Sequence, residues 1–452
     1  MDGLPHEILR IIVGGLDAPL AKYASVFRNF QQAVETSTFA NIRTDSTEQS
    51  EKDFDHKFAS TRRRCLLRVL KYEIELPNIR LEHDIAYIKA VSSLFRRLQQ
   101  WTDFSKDKNR RLSLDFVIKS PYPYTREQYI EFAEELKALP PLSFVSKFSS
   151  HSGCHVCHVH PSVIGLISKA LPKIEELSWE LCAVPRRLVA LRAEMRASMA
   201  LNLLNTDFSN LEFLDIHHDD YDPKNHDWKP ENLLDANGDD PLSLAVNRVS
   251  KLPKLRRLTV WGSTALSPTV FNIDGEDSNA WRYLKFLQLD VSKTTPGGSW
   301  YFTGDRESAV ANSRFDSDDS DSWGVLDGDT PLIDFRFHPD PTTLDPFLVA
   351  MVRAIVRMPT LERFICHFLG AASIEYYGPG VKVYTSDMDK RIFIDSALNH
   401  GRWIMDFDTR QSRNDQDPLP SDWVLPREII ETLKAEDHRI FLTRGFRLVA
   451  EW

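Results

Sequence analysis

Apolar residues recur at helical spacing in the N-terminal segment LPHEILRIIVGGL, residues 4–16. Ile8, Leu9, Ile12 and Leu16 fall on one stripe of the predicted helix, and the two glycines near its end favour termination. The stripe predicts an amphipathic helix whose apolar face must be covered. Either the rest of the chain or another protein could cover it.

A second apolar pattern follows in LAKYASVFRNFQQAVETSTFANIR, residues 20–43. Two adjacent apolar strips predict a second helix, and a third short helix is expected around Gln31–Glu35. Three short helices within residues 1–45 would bury too little surface to be stable alone. Some of their apolar surface is therefore expected to meet another protein or the remainder of the chain.

A different pattern, apolar-x-x-apolar-x-apolar, recurs through the rest of the chain. Each copy predicts a short buried strand, and a proline just before several copies ends the preceding helix. Successive clear copies start 29 to 77 residues apart, which is longer and less even than the period of about 20–29 residues in leucine-rich repeats. The clear copies start at Ile174, Leu211, Leu255, Leu284 and Leu361, and weaker copies start at Leu66, Leu112 and Leu332.

These units predict an α/β fold, because each strand and helix leaves an apolar face that its neighbour must cover. We expect a short helical domain over residues 1–45, followed over residues 60–452 by an irregular leucine-rich-repeat-like solenoid with a parallel sheet and outer helices. The alternative is an ordinary α/β domain whose strands share a generic pattern. Strands on either side of the helix REIIETLKAE are expected to cap the open end.

The segment over about residues 303–330 breaks this pattern. It is dense in Asp and Ser and poor in aliphatic residues. Such a composition buries too little apolar surface to fold by itself. We expect a disordered acidic loop there.

The hydrophobic fraction, the net charge and the number of cysteines exclude several classes of function. A hydrophobic fraction of 42% is ample for a core, and the net charge of -9 argues against binding to nucleic acid or to an anionic membrane. No apolar run reaches the roughly 18–20 residues of a membrane-spanning helix. Five cysteines, an odd and sparse number, favour a reducing compartment, so we expect a cytoplasmic or nuclear protein.

Two His-rich segments are candidates for metal chemistry. In HSGCHVCHVHP, His151, Cys154, Cys157 and His160 are each three residues apart, as in a zinc knuckle. A structural zinc site usually takes a second ligand pair from a distant segment, and the sequence has no second Cys-x-x-Cys. A polar loop is therefore favoured there, and a long turn is favoured for HHDDYDPKNHDW, residues 217–228.

Other catalytic or phosphate-binding signals are weak. Arg62, Arg63 and Arg64 with Arg68 could bind phosphate or nucleic acid, but in an acidic chain a solvated helix face is favoured. The sequence contains no Gly-x-Ser-x-Gly elbow and no phosphate-loop Gly-Lys pair. We therefore predict no catalytic residue, no metal site and no cofactor, and a non-enzymatic role.

The N-terminal motifs carry a family resemblance. LPHEIL, then VFRNF, then a Phe with an Ile three residues later resembles an F-box, whose pattern begins Leu-Pro-x-Glu-Ile-Leu and continues Val-x-Arg-x-Trp. Phe30 stands where that family usually has tryptophan, and Phe27 stands where cysteine is frequent. The matching residues are Leu4, Pro5, Glu7, Ile8, Leu9, Ile12, Leu16, Val26 and Arg28.

The F-box resemblance implies a partner. In that family the helical trio docks on the Skp-type adaptor of cullin–RING ubiquitin ligases, and a following domain recruits the protein to be ubiquitylated. The implied adaptor-binding residues are Leu4, Pro5, Ile8, Leu9, Ile12, Leu16, Val26 and Phe30, the last mainly as support for the fold.

The remainder of the chain is similar to filamentous-fungal F-box proteins. The similarity lies in the Arg-rich turn TRRRCLLRVLKYEIELP, the segment GDDPLSLAVNRVSKLPKLRRLTVWG, the element TPGGSWYF and an acidic spacer. It implies a substrate receptor of an SCF-type ligase and gives no information about the substrate. Two other hypotheses remain: a protein-interaction scaffold whose degenerate F-box meets no ligase, and a metal-dependent hydrolase built on the two His-rich segments.

Overall fold

The chain forms two compact units, residues 1–180 and 181–452, in the computed structural model. Each unit is α/β and is built on mostly parallel strands. The structure describes residues 6–15, 28–79, 82–101, 111–119, 129–130, 134–151, 158–182, 184–219, 222–273, 280–311, 322–368, 371–379, 402–407, 423–444 and 447–451.

The first unit begins with two helices and continues as a parallel sheet in the order β1-β2-β3-β5-β7. Its helices are α1 His6–Gly14, α2 Arg28–Ala40, α3 Glu48–Lys57, α4 Thr61–Arg64, α5 His83–Gln99 and α6 Pro161–Lys169. Its strands are β1 Asn41–Asp45, β2 Val69–Glu75, β3 Leu112–Lys119, β4 Tyr129–Ile130, β5 Val145–His151, β6 His158–Val159 and β7 Glu176–Cys182.

The second unit continues with parallel strands β8-β9-β10-β15 and ends with β16-β17-β18-β19, in which only the β17–β18 pair is parallel. Its helices are α7 Val189–Asn205, α8 Pro241–Ser250, α9 Ser322–Leu326, α10 Leu344–Ile355 and α11 Arg427–Ala435. Its strands are β8 Phe213–Asp219, β9 Arg257–Thr264, β10 Phe286–Val291, β11 Phe302–Thr303, β12 Val310–Ala311, β13 Ile333–Asp334, β14 His338–Pro339, β15 Arg363–Phe368, β16 Ala372–Tyr377, β17 Arg402–Phe407, β18 Arg439–Arg444 and β19 Arg447–Glu451.

The recurring apolar pattern forms the same local structure at each clear copy. The first apolar residue closes a turn and is buried, and the strand starts two residues later. At Leu255, for example, the backbone N–H donates to the Leu252 carbonyl across a turn that contains Pro253. Proline fits the second position of such a turn because its ring fixes φ. The pattern therefore ends one helix and begins the next strand.

Two interactions join each strand to the next. In the second unit, Leu214, Leu258, Leu287 and Phe364 lie at one level of the sheet, and each is at most 3% exposed. The residue just before each of the strands β9, β10 and β15 also donates its backbone N–H to a carbonyl oxygen of the preceding copy. The Arg256 N–H, for example, lies 2.8 Å from the Glu212 carbonyl oxygen. The outer helices also pack in series, α7 on α8 and α10 on α11. Each unit of the pattern is thus completed by its neighbour.

The predicted α/β class with a large, mostly parallel arrangement of strands is confirmed. All five clear copies precede strands of this arrangement, as does the weaker copy at Leu66, and the weaker copy at Leu112 begins with the first residue of β3. The weak copy at Leu332 does not precede a strand of this arrangement. The strand that follows it, β13, is two residues long and pairs antiparallel with β12. The sequence pattern does not indicate strand β5, because VSKFSSH is rich in serine and does not have the apolar spacing of the other copies.

The N-terminal helices differ from the sequence-based prediction. The third helix expected around Gln31–Glu35 is instead the middle of α2, which runs from Arg28 to Ala40. Ile42, which was expected to follow the helical trio, lies in β1, and β1 pairs in parallel with β2. The chain therefore passes from α2 directly into the sheet, inside the range of 1–45 expected to be helical.

The acidic segment is only partly described, since residues 312–321 lie outside the described residues. On either side of them are β12 and α9, followed by Asp327, which is 4% exposed. Its carboxylate accepts hydrogen bonds from the backbone N–H and the guanidinium of Arg187. This part of the expected loop is therefore packed into the second unit.

Near the C-terminus, β17, α11, β18 and β19 confirm the predicted strand–helix–strand arrangement. Whether these elements cap a solenoid stays a prediction. Among the described residues, no helix has both the length and the apolarity to cross a membrane.

The row of buried side chains formed by Leu214, Leu258, Leu287 and Phe364 predicts a large loss of stability when a residue at its centre is replaced. Replacing Leu258, which is 1% exposed, with alanine should lower the free energy of unfolding by about 2–5 kcal/mol, because it removes buried methyl groups and leaves a cavity. The apparent midpoint of urea unfolding measures this change. The control is Gln288→Ala, on the half-buried face of the adjacent strand, for which we expect at most about 0.5 kcal/mol. Equal effects for the two variants would contradict the importance of the row.

Candidate functional site

Helices α1 and α2 pack against each other. Leu9 and Val13 of α1 form an apolar cluster with Phe30, Ala33 and Val34 of α2, and none of the five is more than 8% exposed. The spacing of Leu9 and Val13, one helical turn apart, places both on the side of α1 that faces α2. The two helices thus cover part of each other's apolar surface.

The other side of α1 carries an uncovered apolar surface. Ile8, Ile11 and Ile12 are 43%, 71% and 42% exposed, and their spacing places them side by side. We call these three residues the isoleucine ridge. Exposed apolar side chains that cluster in this way mark surfaces that bind another molecule.

The structure divides the predicted adaptor-binding residues into three groups. Ile8 and Ile12 are on the exposed ridge, together with Ile11, which the motif did not include. Leu9 and Phe30 are buried between the helices, so they support the ridge and do not form its surface. The remaining predicted residues lie outside the described residues: Leu4, Pro5, Leu16 and Val26.

The Arg-rich turn holds α2 on the first unit. Arg62 pairs with Glu35 at 2.8 Å, and the Arg63 guanidinium lies over the Phe39 ring, 4.9 Å from its centroid. Arg64 donates to carbonyl oxygens at the end of α3, where a cation is favoured by the helix dipole. The three side chains thus have partners within the protein, which neither the phosphate-binding prediction nor the solvated-face prediction anticipated.

A cleft of about 430 Å³ lies beside this turn, between the ends of α3 and α5. Among its lining residues, Arg97 is bound to Glu51 and Asp55, and these carboxylates raise the pKa of Arg97 even though burial opposes the shift. Both helices end at the cleft, so their last carbonyl groups favour cations there. Of the arginines that line this cleft, Arg64 is thus a helix-end partner and Arg97 an ion-pair partner.

The first His-rich segment is only partly described, since Cys154 and Cys157 lie outside the described residues. His151 lies on the half-exposed face of β5, with Nδ1 3.2 Å from Glu180 and Nε2 3.5 Å from Asp115. The hydrogen bond with Glu180 raises the pKa of His151 most, against the effect of burial. His160 caps α6, since its Nδ1 accepts a hydrogen bond from the Ser162 backbone N–H.

In the second His-rich segment, His226 connects two distant loops. It is 2% exposed, and its Nδ1 accepts hydrogen bonds from the backbone N–H groups of Phe335 and Arg336 at 2.9 and 2.8 Å. A nitrogen that accepts two N–H groups cannot carry a proton, so Nε2 carries it and faces Asp334 at 2.9 Å. Both ring nitrogens are therefore used within the protein.

Within the part of the chain that the structure describes, no group of three or more His, Cys, Asp or Glu side chains is arranged to hold a metal ion. No local sequence pattern indicates the role of His226, because its partners are about a hundred residues away in the chain.

No protein-family model matches the chain, and no curated protein is significantly similar to it. The resemblance to F-box proteins therefore rests on the motifs quoted above, those at the N-terminus and those in the remainder of the chain.

We predict that His226 is needed for folding of the second unit. His226→Ala leaves two buried backbone N–H groups without an acceptor, at roughly 1–3 kcal/mol each. The free energy of unfolding should fall by about 2–6 kcal/mol, measured by urea unfolding. His217→Ala is the control: His217 stacks on the partly exposed Trp261 with ring centroids 4.3 Å apart, and its loss should cost about 1 kcal/mol. An equal or larger loss for the control would contradict the role of His226.

We also predict a pH-dependent contribution from His151. Because the pKa of His151 is raised in the folded protein, protonation of His151 stabilises the fold. This contribution is full below the unfolded pKa of about 6.5 and is lost as the pH rises through the folded pKa. His151→Asn should therefore be less stable than the wild type at about pH 5.5, and the difference should shrink by about pH 8.5. A difference that grows with pH would contradict this assignment.

Proposed function

We propose that this protein is a substrate-receptor subunit of a cullin–RING ubiquitin ligase. The first two helices bind a Skp-type adaptor, which links the chain to the cullin, and the strand–helix units bind a protein substrate. The protein then acts in the cytoplasm or the nucleus, where the five cysteines stay reduced.

The isoleucine ridge is the observation that carries this proposal. Three isoleucines at 42–71% exposure on one nine-residue helix leave apolar surface in water. Covering this surface would contribute part of the roughly 1.5–3 kcal/mol that burial of a fully exposed isoleucine contributes. A stable interface buries about 1,600 Å² in total and depends on a few anchors near its centre. The ridge supplies such anchors, next to the positions where the motif has Leu4 and Pro5.

The strand–helix units support the second half of the proposal. Their parallel strands follow one another in sequence order within each unit, and each copy of the apolar pattern adds one strand at the edge. We infer an irregular leucine-rich-repeat-like solenoid from this order. Such an arrangement places one side chain of every strand on a shared open face, on which a partner can lie.

The mechanism in this proposal is proximity. The chain contributes no catalytic group, and ubiquitin transfer is carried out by the other ligase subunits. By holding the adaptor and the substrate on one chain, it raises the effective concentration of substrate lysines near the transfer site. We therefore regard the protein as a non-enzymatic component that takes no metal or cofactor.

A scaffold that meets no ligase is the alternative. It requires the N-terminal helices to bury their apolar surface within the protein itself. The α1–α2 cluster does bury Leu9 and Phe30, which favours this alternative in part, but the ridge on the same helix is exposed. Binding to the adaptor decides between the two.

We predict that the ridge is required for adaptor binding. Ile11→Glu, alone and together with Ile8→Glu and Ile12→Glu, places carboxylates in the proposed interface. We expect binding to a purified Skp-type adaptor to weaken at least about tenfold for the single variant and to be lost for the triple variant. Surface plasmon resonance with the full-length protein measures this change.

Ile85→Glu is the matched control. Ile85 is an isoleucine of α5 in the same unit, and at 67% it is as exposed as Ile11 at 71%. Its substitution should leave adaptor binding unchanged, and circular dichroism should show that all variants fold. Unchanged binding by the triple variant, or no binding by the wild type, would favour the scaffold.

A further inference from the structure

One face of strands β8, β9 and β10 is left open. Parallel sheets are usually covered on both faces. Here one face carries the buried apolar row, and the opposite face carries partly exposed side chains, including Phe213 at 38% and Trp261 at 39%. An open face of this kind has room for a partner.

Aromatic and basic side chains alternate at the start of these strands. The register places Phe213, Arg257 and Phe286 next to one another on three adjacent strands. The Arg257 guanidinium lies over the Phe286 ring, 4.8 Å from its centroid. Phe213 lies on the other side of Arg257. We call these three residues the Phe–Arg–Phe row.

Arg257 has no ion-pair partner among the described residues; its Nε donates only to the hydroxyl of Thr259, at 3.3 Å. The neighbouring cations are paired, since Arg256 lies 3.5 Å from Glu212 and Lys285 lies 2.6 Å from Glu362. A carboxylate on the adjacent strand β8 also has another partner. Asp215 accepts a hydrogen bond from the indole of Trp261 at 2.7 Å.

We propose that the Phe–Arg–Phe row binds an extended segment of a partner protein in which an acidic residue lies between two apolar residues. This inference rests on the proposed function and names the class of substrate that the open face takes. The acidic side chain pairs with the guanidinium of Arg257, which can form two parallel hydrogen bonds to a carboxylate. The apolar residues pack on Phe213 and Phe286.

The distance between the strands determines how long the bound segment must be. Adjacent strands lie about 4.8 Å apart, so the backbones at Phe213 and Phe286 are separated by roughly 10 Å across β9. An extended chain advances about 3.3 Å per residue. Side chains alternate between the two faces of an extended chain, so the three that face the row lie at every second position. The Asp or Glu is the middle one, and the two apolar residues, about 13 Å apart, span the row.

The ion pair between Arg257 and the acidic residue of the ligand contributes more to affinity than an exposed surface ion pair. An exposed pair is weak because water screens it. A ligand lying across the two phenylalanines would exclude water from the guanidinium, and charge pairs that become desolvated in an interface contribute strongly to affinity. The aromatic residues on either side thus make Arg257 selective for an acidic residue in apolar surroundings.

The test is a selection from a displayed random-peptide library on the purified full-length protein. We expect the enriched peptides to carry Asp or Glu between apolar residues. The affinity of the best synthetic peptide should fall at least about tenfold for Arg257→Glu and severalfold for Arg257→Gln. Arg256→Glu is the matched control, because it makes the same charge change one residue earlier in the chain and should lower the affinity less than about twofold.

A charge exchange completes the test. Replacing the acidic residue of the peptide with lysine should abolish binding to the wild type and restore it with Arg257→Glu. Enriched peptides without an acidic residue, no enriched peptide at all, or equal losses for Arg256→Glu and Arg257→Glu would overturn the proposal. Arg257→Glu changes no residue of α1 or α2, so adaptor binding by this variant tests the proposed function separately.

Discussion

The fold depends on the contact between equivalent apolar side chains of neighbouring strands. A single copy of the pattern cannot bury Leu258 or pair the backbone N–H of Arg256, because the covering side chain of Leu214 and the accepting carbonyl of Glu212 both come from the preceding copy. Stability therefore depends on contacts between neighbouring units, and each outer helix covers apolar surface of the unit beside it.

The sequence predicted the strands well because their signal is local. The leading leucine and the proline turn occupy a few adjacent residues, and both act through the backbone of that segment. Strand β5 lacks this signal and is held in place by pairing with its neighbours and by the burial of Val145 and Phe148. The exposed side of α1 could not be derived in the same way, because one broad apolar stripe includes both Ile8 and Leu9. The direction from which α2 approaches decides which of them is buried.

Among the described residues, the isoleucine ridge and the Phe–Arg–Phe row are exposed surfaces of different chemistry. The ridge on α1 is purely aliphatic and suits a partner with a preformed apolar groove. The Phe–Arg–Phe row combines aromatic surface with a cation and suits a segment that supplies both an apolar and an acidic group. One chain with two such unlike surfaces is suited to bringing two different proteins together, whichever partners they are.

The connections between strands obey a looser constraint than the strands themselves. Between β10 and β15 the chain makes a long excursion, held by the imidazole of His226 and by Asp327, and then resumes the same register. Such an arrangement permits insertions of almost any length, provided that the two ends of the insertion return to adjacent strands. Since only a few apolar positions in each unit are strictly constrained, descendants of a common ancestor could retain this architecture long after their sequences had ceased to resemble one another.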